Sequence, residues 1–218
     1  MPTLLTKSPL LNTTYVFGDE YNCFFGTELG ETVHTGGGWD QIFAGGGNDK
    51  LFGGVDPNEL CGEAGDDFID GGGANDVIDG GTGFDQMFGG SQNDTFRFHS
   101  IADSPSTNFW RMDLIGDFNH SEGDMIDLSP IINDRLHSTQ HFQFVGGVSQ
   151  DGFTPDKLHP FQVGFESNTP GGTLTIWVNT DGDSHADMGI RLQDTGGNLD
   201  SHSIAMSMDQ WIKDGLVL

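Results

Sequence analysis

Between Phe17 and Arg97 an apolar residue returns at every ninth position: Phe24, Val33, Ile42, Leu51, Leu60, Ile69, Ile78, Met87 and Phe96. Two residues ahead of each stands an acid or an amide: Asn22, Glu31, Asp40, Asp49, Asn58, Asp67, Asp76, Asp85 and Asp94. The register holds without a gap through nine nonapeptides, among them TGGGWDQIF, AGGGNDKLF, GGGANDVID and GGTGFDQMF. A fixed period of this kind decides the architecture before any local propensity does. Positions 7 to 9 of each repeat read as a short strand whose middle side chain points inward, by the two-residue alternation of β structure. The six preceding positions form a turn. Two nonapeptides make one coil of 18 residues, and coils stack about 4.8 Å apart, so no repeat buries its apolar residue without its neighbours. Glycine at position 4 (Gly38, Gly47, Gly65, Gly83) suits a turn that needs positive φ.

From about residue 94 onward the pattern changes to alternation of apolar and polar residues, in FRFHSI, FQFVG, TLTIWVN and MGIRL, with Gly, Asn, Asp and Pro between them. Such alternation predicts antiparallel strands. The fold class expected is therefore all-β: a parallel β-roll of two nonapeptides per coil, continuing into a C-terminal β-sandwich. Residues 1–16 read as an N-terminal cap segment, 17–97 as the roll and 98–218 as the strand region. The first two repeats depart from the pattern, with Glu20 and Leu29 where glycine is preferred, and read as a capping end of the stack.

Charge sharpens this picture. The 218 residues hold 33 acidic and 8 basic side chains, a formal charge of -25, which opposes binding to nucleic acid. Such a chain folds only if something bound neutralises the acidic excess, and a metal cation is the obvious candidate. Turn carbonyls and position-6 carboxylates stacked in rows present hard oxygen atoms, and calcium takes six to eight of them at about 2.3 to 2.6 Å. No apolar run of about 18 residues is present to span a membrane. The N-terminal segment lacks the charged and apolar regions of a secretory signal, so export would need another address.

These repeats resemble the RTX, or hemolysin-type, calcium-binding nonapeptide G-G-x-G-x-D-x-U-x. The segment after them resembles the C-terminal domain of serralysin-type secreted proteases and, more loosely, the calcium-binding modules of mannuronan epimerases. DTFRF (94–98), ADS (102–104), DLIGDF (113–118), GDMIDLS (123–129), NTDGDSHADMGIRL (179–192) and the terminal DGLVL carry that likeness. The resemblance implies calcium held between loops two repeats apart: carbonyls of positions 2 and 4 with the position-6 side chain of one loop, carbonyls of positions 1 and 3 with position 6 of the next. Along one edge this assigns Gly36, Gly38, Asp40 with Gly53, Val55, Asn58; then Gly54, Asp56, Asn58 with Gly71, Gly73, Asp76; then Gly72, Ala74, Asp76 with Gly89, Ser91, Asp94. Along the other it assigns Gly45, Gly47, Asp49 with Gly62, Ala64, Asp67, and Glu63, Gly65, Asp67 with Gly80, Thr82, Asp85. About five ions follow, the two cages touching Asn58 being the weaker and those built on Asp49, Asp67 and Asp85 the tightest. Asp103 or Asp113 is a candidate last carboxylate for the Gly81, Gly83, Asp85 loop. Asn179, Asp181, Asp183 and Asp187 have a spacing suggestive of a calcium loop but lack the glycine and distal Glu of an EF-hand, and a polar hairpin turn is the favoured reading.

Other features add less. Cys23 and Cys61 lie two coils apart, about 9.6 Å by stacking, beyond the reach of a disulfide. No H-E-x-x-H or G-x-S-x-G motif occurs, and His99 beside Ser100 reads as a surface coincidence. Outward Phe25, Phe43 and Cys61 form an apolar stripe expected to be covered by the N-terminal segment or by later strands. A serralysin carries its zinc site upstream of such repeats, and 16 residues precede them here, so no enzyme is expected. The terminal Asp214–Leu218 resembles the uncleaved signal of proteins exported by type I secretion machinery. Together these point to a secreted, extracellular calcium-binding module that folds on calcium after export. The alternatives are an adhesin or polysaccharide-binding accessory using Tyr21, Trp39 or Phe84, and the C-terminal module of, or a partner enzyme's companion to, a secreted protease or epimerase.

Overall fold

The nine-residue period becomes a stack of parallel strands. In the computed structural model, which describes residues 3–6, 13–105, 111–131, 143–148, 162–168, 173–181 and 185–193, nine strands carry the nine apolar residues. They are β3 (Asn22–Thr27), β4 (Thr32–His34), β5 (Gln41–Gly45), β6 (Lys50–Phe52), β7 (Glu59–Cys61), β8 (Phe68–Gly72), β9 (Val77–Asp79), β10 (Gln86–Gly90) and β11 (Thr95–Arg97). Successive strands alternate between two sheets, and every pair within the repeats is parallel and 18 residues apart. One sheet aligns Phe24, Ile42, Leu60, Ile78 and Phe96; the other aligns Val33, Leu51, Ile69 and Met87. All nine side chains are buried. At about 2 kcal/mol for each large apolar side chain removed from water, this double column is the main cohesive element of the roll.

Strands outside the repeats lengthen the stack. β1 (Thr3–Thr6) pairs in parallel with β3, and β2 (Thr14–Val16) pairs with β4, where Tyr15 rests its ring 4.6 Å from that of Phe24. Because β1 joins its sheet edge to edge, it does not cover the outward stripe: Phe25 stacks on Phe43 at 5.2 Å and stays 51% exposed. Stacked coils place outward rings over one another too, as with His34 on Phe52 at 4.6 Å. The expectation that Cys23 and Cys61 are free thiols holds, and burial pushes the Cys61 thiol up to about 12.

The chain forms two compact units. The first comprises residues 1–97 together with 121–126, the second 98–120 and 127–218. The return of residues 121–126 is what the nine-residue period does not announce: they lead into β13 (Met125–Asp127), next after β11 in the first sheet. Met125 donates its N–H to the Asp94 carbonyl at 2.8 Å, as Thr95 does to that of Asp76, and Ile126 is buried like the apolar residues before it.

In the second unit, β12 (Leu114–Ile115), β14 (Gln143–Val148), β15 (Gln162–Asn168), β16 (Thr173–Asn179) and β17 (Met188–Gln193) lie in the order β14-β15-β16-β17-β12. The central pairings are antiparallel, as alternation predicts, but β14–β15 and β12–β17 are parallel. Parallel neighbours need a crossover of a dozen or more residues, and both pairs are separated by at least that length of chain. The described strands of this unit form one sheet; a second sandwich layer is not among the described residues. Ser104 anchors its start, donating to the Gly189 carbonyl at 2.6 Å and accepting the Asp113 N–H at 2.8 Å. That pair of bonds gives the ADS and DLIGDF segments a structural role.

Candidate metal centre

Each turn ends on its position-6 residue, and all nine of these are buried. One carboxylate oxygen is occupied in the same way from coil to coil. Oδ1 of Asp40 accepts the Asn22 N–H at 2.7 Å, Asp49 that of Glu31 at 2.5 Å, Asp67 that of Asp49 at 2.7 Å, Asp76 that of Asn58 at 2.8 Å, Asp85 that of Asp67 at 2.8 Å and Asp94 that of Asp76 at 2.9 Å. The ladder does not stop at the last repeat. Asp124, buried and 30 residues further on, accepts the Asp94 N–H at 3.0 Å. Sequence reading left Asp124 out of the column, although Asp124-Met125-Ile126 repeats the D-x-U signature.

The second oxygen is the chemically informative one. Oδ2 of Asp40, Asp49, Asp67 and Asp76 is buried without a hydrogen-bond partner, a costly arrangement for a charged group. Two of these oxygens, of Asp67 and Asp76, lie near a carbonyl of the next loop. A methyl group added at Gly62 would lie within 3.0 Å of both Asp67 Oδ2 and the Gly80 carbonyl oxygen, and one added at Gly71 would meet Asp76 Oδ2 at 2.6 Å and the Gly89 carbonyl at 2.7 Å. Position-1 glycine therefore keeps open a small volume on which a carboxylate and a carbonyl from successive loops converge. Burial pushes the Asp49 carboxyl up to about 7, with the charges of Asp67 and Glu31 adding and the bond from the Glu31 N–H opposing. Burial likewise raises Asp67 to about 6, Asp76 to about 7 against bonds from the Asn58 backbone and amide, and Asp85 upward, its neighbour Asp67 adding.

The turn backbone is conserved in shape even where its side chains vary. Position 2 has positive φ at Gly36, Gly45, Gly54, Gly72 and Gly81 and also at Glu63 (72°); position 4 has it at Gly38, Gly47, Gly65 and Gly83 and also at Ala74 (72°). A non-glycine residue there is strained by about 1 to 2 kcal/mol, so the stack imposes this conformation on Glu63 and Ala74. Asp56 is the exception among the assigned position-4 residues, its φ not being positive, and Pro57 follows it. The residue before a proline is pushed toward extended backbone. The first two repeats lack positive φ altogether, in keeping with their departures in sequence. Position-2 carbonyls of Gly45, Gly54, Glu63 and Gly72 each accept an N–H from Ala64, Gly73, Thr82 and Ser91 of the next loop; a carbonyl oxygen retains a second lone pair.

A second ladder was not anticipated. Asn48 Oδ1 accepts the Asp66 N–H at 3.1 Å, Asp66 Oδ1 accepts the Phe84 N–H at 3.1 Å, and Asn75 Oδ1 accepts the Asn93 N–H at 3.2 Å. These position-5 bonds run from each coil to the next, opposite in sense to the position-6 ladder, and the Asn/Asp content at position 5 is the signal that announces them. Among the described residues no group of three or more His, Cys, Asp or Glu side chains is gathered for a metal ion; what converges, at Gly62 and Gly71, is one carboxylate with one main-chain carbonyl.

The remaining candidates serve other ends. Asp103 Oδ2 accepts the N–H groups of His99 and Ser100 at 2.7 and 2.8 Å, capping their turn. Asp187 Oδ2 accepts both the N–H and hydroxyl of Thr180, and Asn179 Oδ1 accepts the Asp181 N–H at 3.2 Å, the bonding of a polar hairpin turn; Asp183 and the terminal DGLVL lie outside the described residues. Phe84 is half-buried on the edge opposite to Tyr21 and Trp39. No helix among the described residues is long and apolar enough to cross a membrane.

Three comparisons bear on this arrangement. The profile of the family described as Peptidase M10 serralysin C terminal matches residues 35–202. The solution structure of the R3 subunit of the mannuronan C5-epimerase from Azotobacter vinelandii is similar over 85% of this chain and 75% of that chain, at 24% identity and a TM-score of 0.36. No curated protein sequence matches this chain.

Proposed function

The chain belongs to the serralysin C-terminal family of the M10 peptidases, and from that premise we propose that it is a secreted, extracellular RTX module whose roll folds on calcium after type I export. The observation that carries this reading is the row of buried carboxylates on the edge formed by residues 44–49, 62–67 and 80–85. Oδ2 of Asp49 and of Asp67 has no protein donor, and the Asp67 oxygen converges with the Gly80 carbonyl. Hard, anionic, oxygen-only donors in a compact turn fit calcium and fit neither a soft metal nor an organic ligand. The matched family is the C-terminal part of serralysins, which supports a non-catalytic role.

Calcium would supply charge neutralisation and nothing chemically reactive. Sites of extracellular grade have dissociation constants of about 0.1 to 1 mM, and each occupied at ten times that concentration adds about 1.4 kcal/mol. Export in a calcium-poor, unfolded state followed by folding outside is the consequence. Circular dichroism during a calcium titration tests it: the β signal of the roll is expected to appear with calcium and to be lost in chelator, and a native-like spectrum retained in chelator would sink the coupled-folding claim.

A second reading is favoured by one surface feature. Tyr21 and Trp39, from position 5 of successive turns, stack at 5.3 Å and 13°, with Trp39 half exposed. A flat aromatic pair on a polar edge is a platform for a sugar ring, which supports polysaccharide binding by the calcium-loaded roll. Glycan-array binding that is lost in Trp39→Ala is the expected result; no binding to any glycan with calcium present would remove this reading.

A further inference from the structure

The two cages expected at Asn58 do not fit a cation. The Asp40 N–H donates to Asn58 Oδ1 at 2.9 Å, which fixes the orientation of the amide, because a backbone N–H can only donate. The other end of the side chain is therefore NH2, and it donates to the Gly53 carbonyl at 2.7 Å and to the Asp56 carbonyl at 2.5 Å. Gly53 O belongs to the cage assigned to Gly36, Gly38, Asp40, Gly53, Val55 and Asn58. Asp56 O belongs to the one assigned to Gly54, Asp56, Asn58, Gly71, Gly73 and Asp76. One amide thus occupies an oxygen of each. The Thr35 hydroxyl also donates to Gly53 O, and the Asp56 backbone lacks the left-handed turn that its counterparts adopt. At Asp49 and Asp67, as at Asp40 and Asp76 on either side of Asn58, the equivalent atom is an oxygen with no donor near it; the amide closes the Asn58 turn alone.

The geometry points to Asn58 as a built-in substitute for the cation, a rung that is closed by protein donors and holds no calcium. This inference rests on the calcium reading above and refines it. Of the five cages expected, three remain: Asp49 with Asp67, Asp67 with Asp85, and Asp76 with Asp94. Asn22 does the same at the capping end, where its amide donates to the Glu20 carbonyl at 2.5 Å and to Asp40 Oδ1 at 2.9 Å. The roll is thus loaded unevenly, with calcium confined to one whole edge and to the far end of the other, while the coil between Asp40 and Asp76 keeps its shape without it.

The test is a count of bound calcium per chain by native mass spectrometry and equilibrium dialysis on the full chain, for the wild type and two reciprocal variants. Asn58→Asp puts an oxygen where the amide donates, and is expected to gain one or two ions and to melt lower at limiting calcium but not at saturating calcium. Asp67→Asn transplants the amide to the other edge; it is expected to lose up to two ions yet to melt above Asp67→Ala at the same calcium concentration, since only the amide can donate to the turn carbonyls. An unchanged ion count in Asn58→Asp, with calcium bound to the wild type, would overturn the role given to Asn58 and leave the calcium reading standing. Five ions on the wild type would overturn it likewise. No ion on either protein would overturn both readings.

Discussion

The two edges of the roll are built on the same nonapeptide pattern and part company at position 6 of the middle turn, Asn58 on one and Asp67 on the other. On the edge of residues 44–49, 62–67 and 80–85, position 6 is Asp at each turn, and Oδ2 of Asp49 and of Asp67 is buried without a donor. On the edge of residues 35–40, 53–58 and 71–76, the middle turn has Asn58, whose Nδ2 donates to Gly53 and Asp56 in place of a missing oxygen. Both solutions preserve the ladder bond from the previous coil, at 2.7 Å into Asp67 and 2.9 Å into Asn58. The contrast shows that the coil has two ways to close a turn. One leaves a buried carboxylate oxygen without a donor, for a cation to meet on the calcium reading proposed above, and the other needs only an amide.

The largest way to break the contrast is to remove the shared carboxylate of the first edge. Asp67→Ala deletes a donor common to two cages and the acceptor of the Asp49 N–H; with calcium present the loss is about 4 kcal/mol, from two sites at about 1.4 each and one hydrogen bond of about 1. A melting temperature lower by about 8 to 16 °C in saturating calcium, and a smaller change at the lowest calcium concentration that still folds the roll, is expected. Asn58→Ala removes hydrogen bonds alone, so its melting temperature is expected to fall by about 4 to 8 °C, by the same amount at limiting and at saturating calcium. Equal calcium sensitivity in the two variants would erase the distinction between the edges.

Glycine at position 1 offers a second cut. Gly62→Ala places a methyl against Asp67 Oδ2 and the Gly80 carbonyl, so it is expected to weaken calcium binding on that edge at least tenfold and to destabilise by about 1 to 3 kcal/mol, the usual range for overpacking. Calorimetric titration of the variant measures both.

Proton competition acts on the same oxygens. Asp49 and Asp76 are raised to about 7 and Asp67 to about 6 from an ordinary 3.8, by burial above all. The calcium-free folded roll therefore binds more protons than the unfolded chain between about pH 4 and pH 7. Its stability is expected to be greatest below that window and to fall as pH rises through it, the reverse of what calcium does. The calcium midpoint is expected to worsen as pH falls from about 8 to about 5, and residual β signal in chelator to be stronger at about pH 5 than at about pH 8; a pH-independent midpoint between 6 and 8 would contradict the burial of these carboxylates.

The smallest effect probes the turn backbone common to both edges. Ala74→Gly relieves a φ of 72° and is expected to stabilise by about 0.5 to 1 kcal/mol, a strain gain partly offset by the added freedom of the unfolded chain. Glu63→Gly, at 72° on the other edge, should behave alike by denaturant titration.

Most of the roll was legible beforehand because its rules are local. An apolar residue flanked by two outward ones must point inward, and nine such residues in fixed register align into a column whatever the turns between them contain. Phe24 through Phe96 obey this without exception. The turn shape was legible at Gly38, Gly47, Gly65 and Gly83, and hidden at Glu63 and Ala74, where stacking overrides the preference of the side chain. Asp124 was hidden for a different reason: an excursion of chain separates it from Asp94, and periodicity cannot see across a gap of changed length. The parallel pairs β14–β15 and β12–β17 were hidden because alternation specifies which face a residue takes, and says nothing of which strand lies beside it.

By itself the sequence determined the period, the buried column, the acidic column and hence the parallel roll with its oxygen-rich turns, since each follows from side-chain direction repeated at a constant interval. Only the tertiary structure decided which turns leave a buried carboxylate oxygen without a donor and which are closed by an amide. That choice depends on the direction of single hydrogen bonds between residues 18 apart, Asp40 to Asn58 and Asp49 to Asp67. Asn and Asp have nearly the same size and shape, so a difference that reads in sequence as one lost charge becomes two kinds of rung once donor and acceptor are brought face to face.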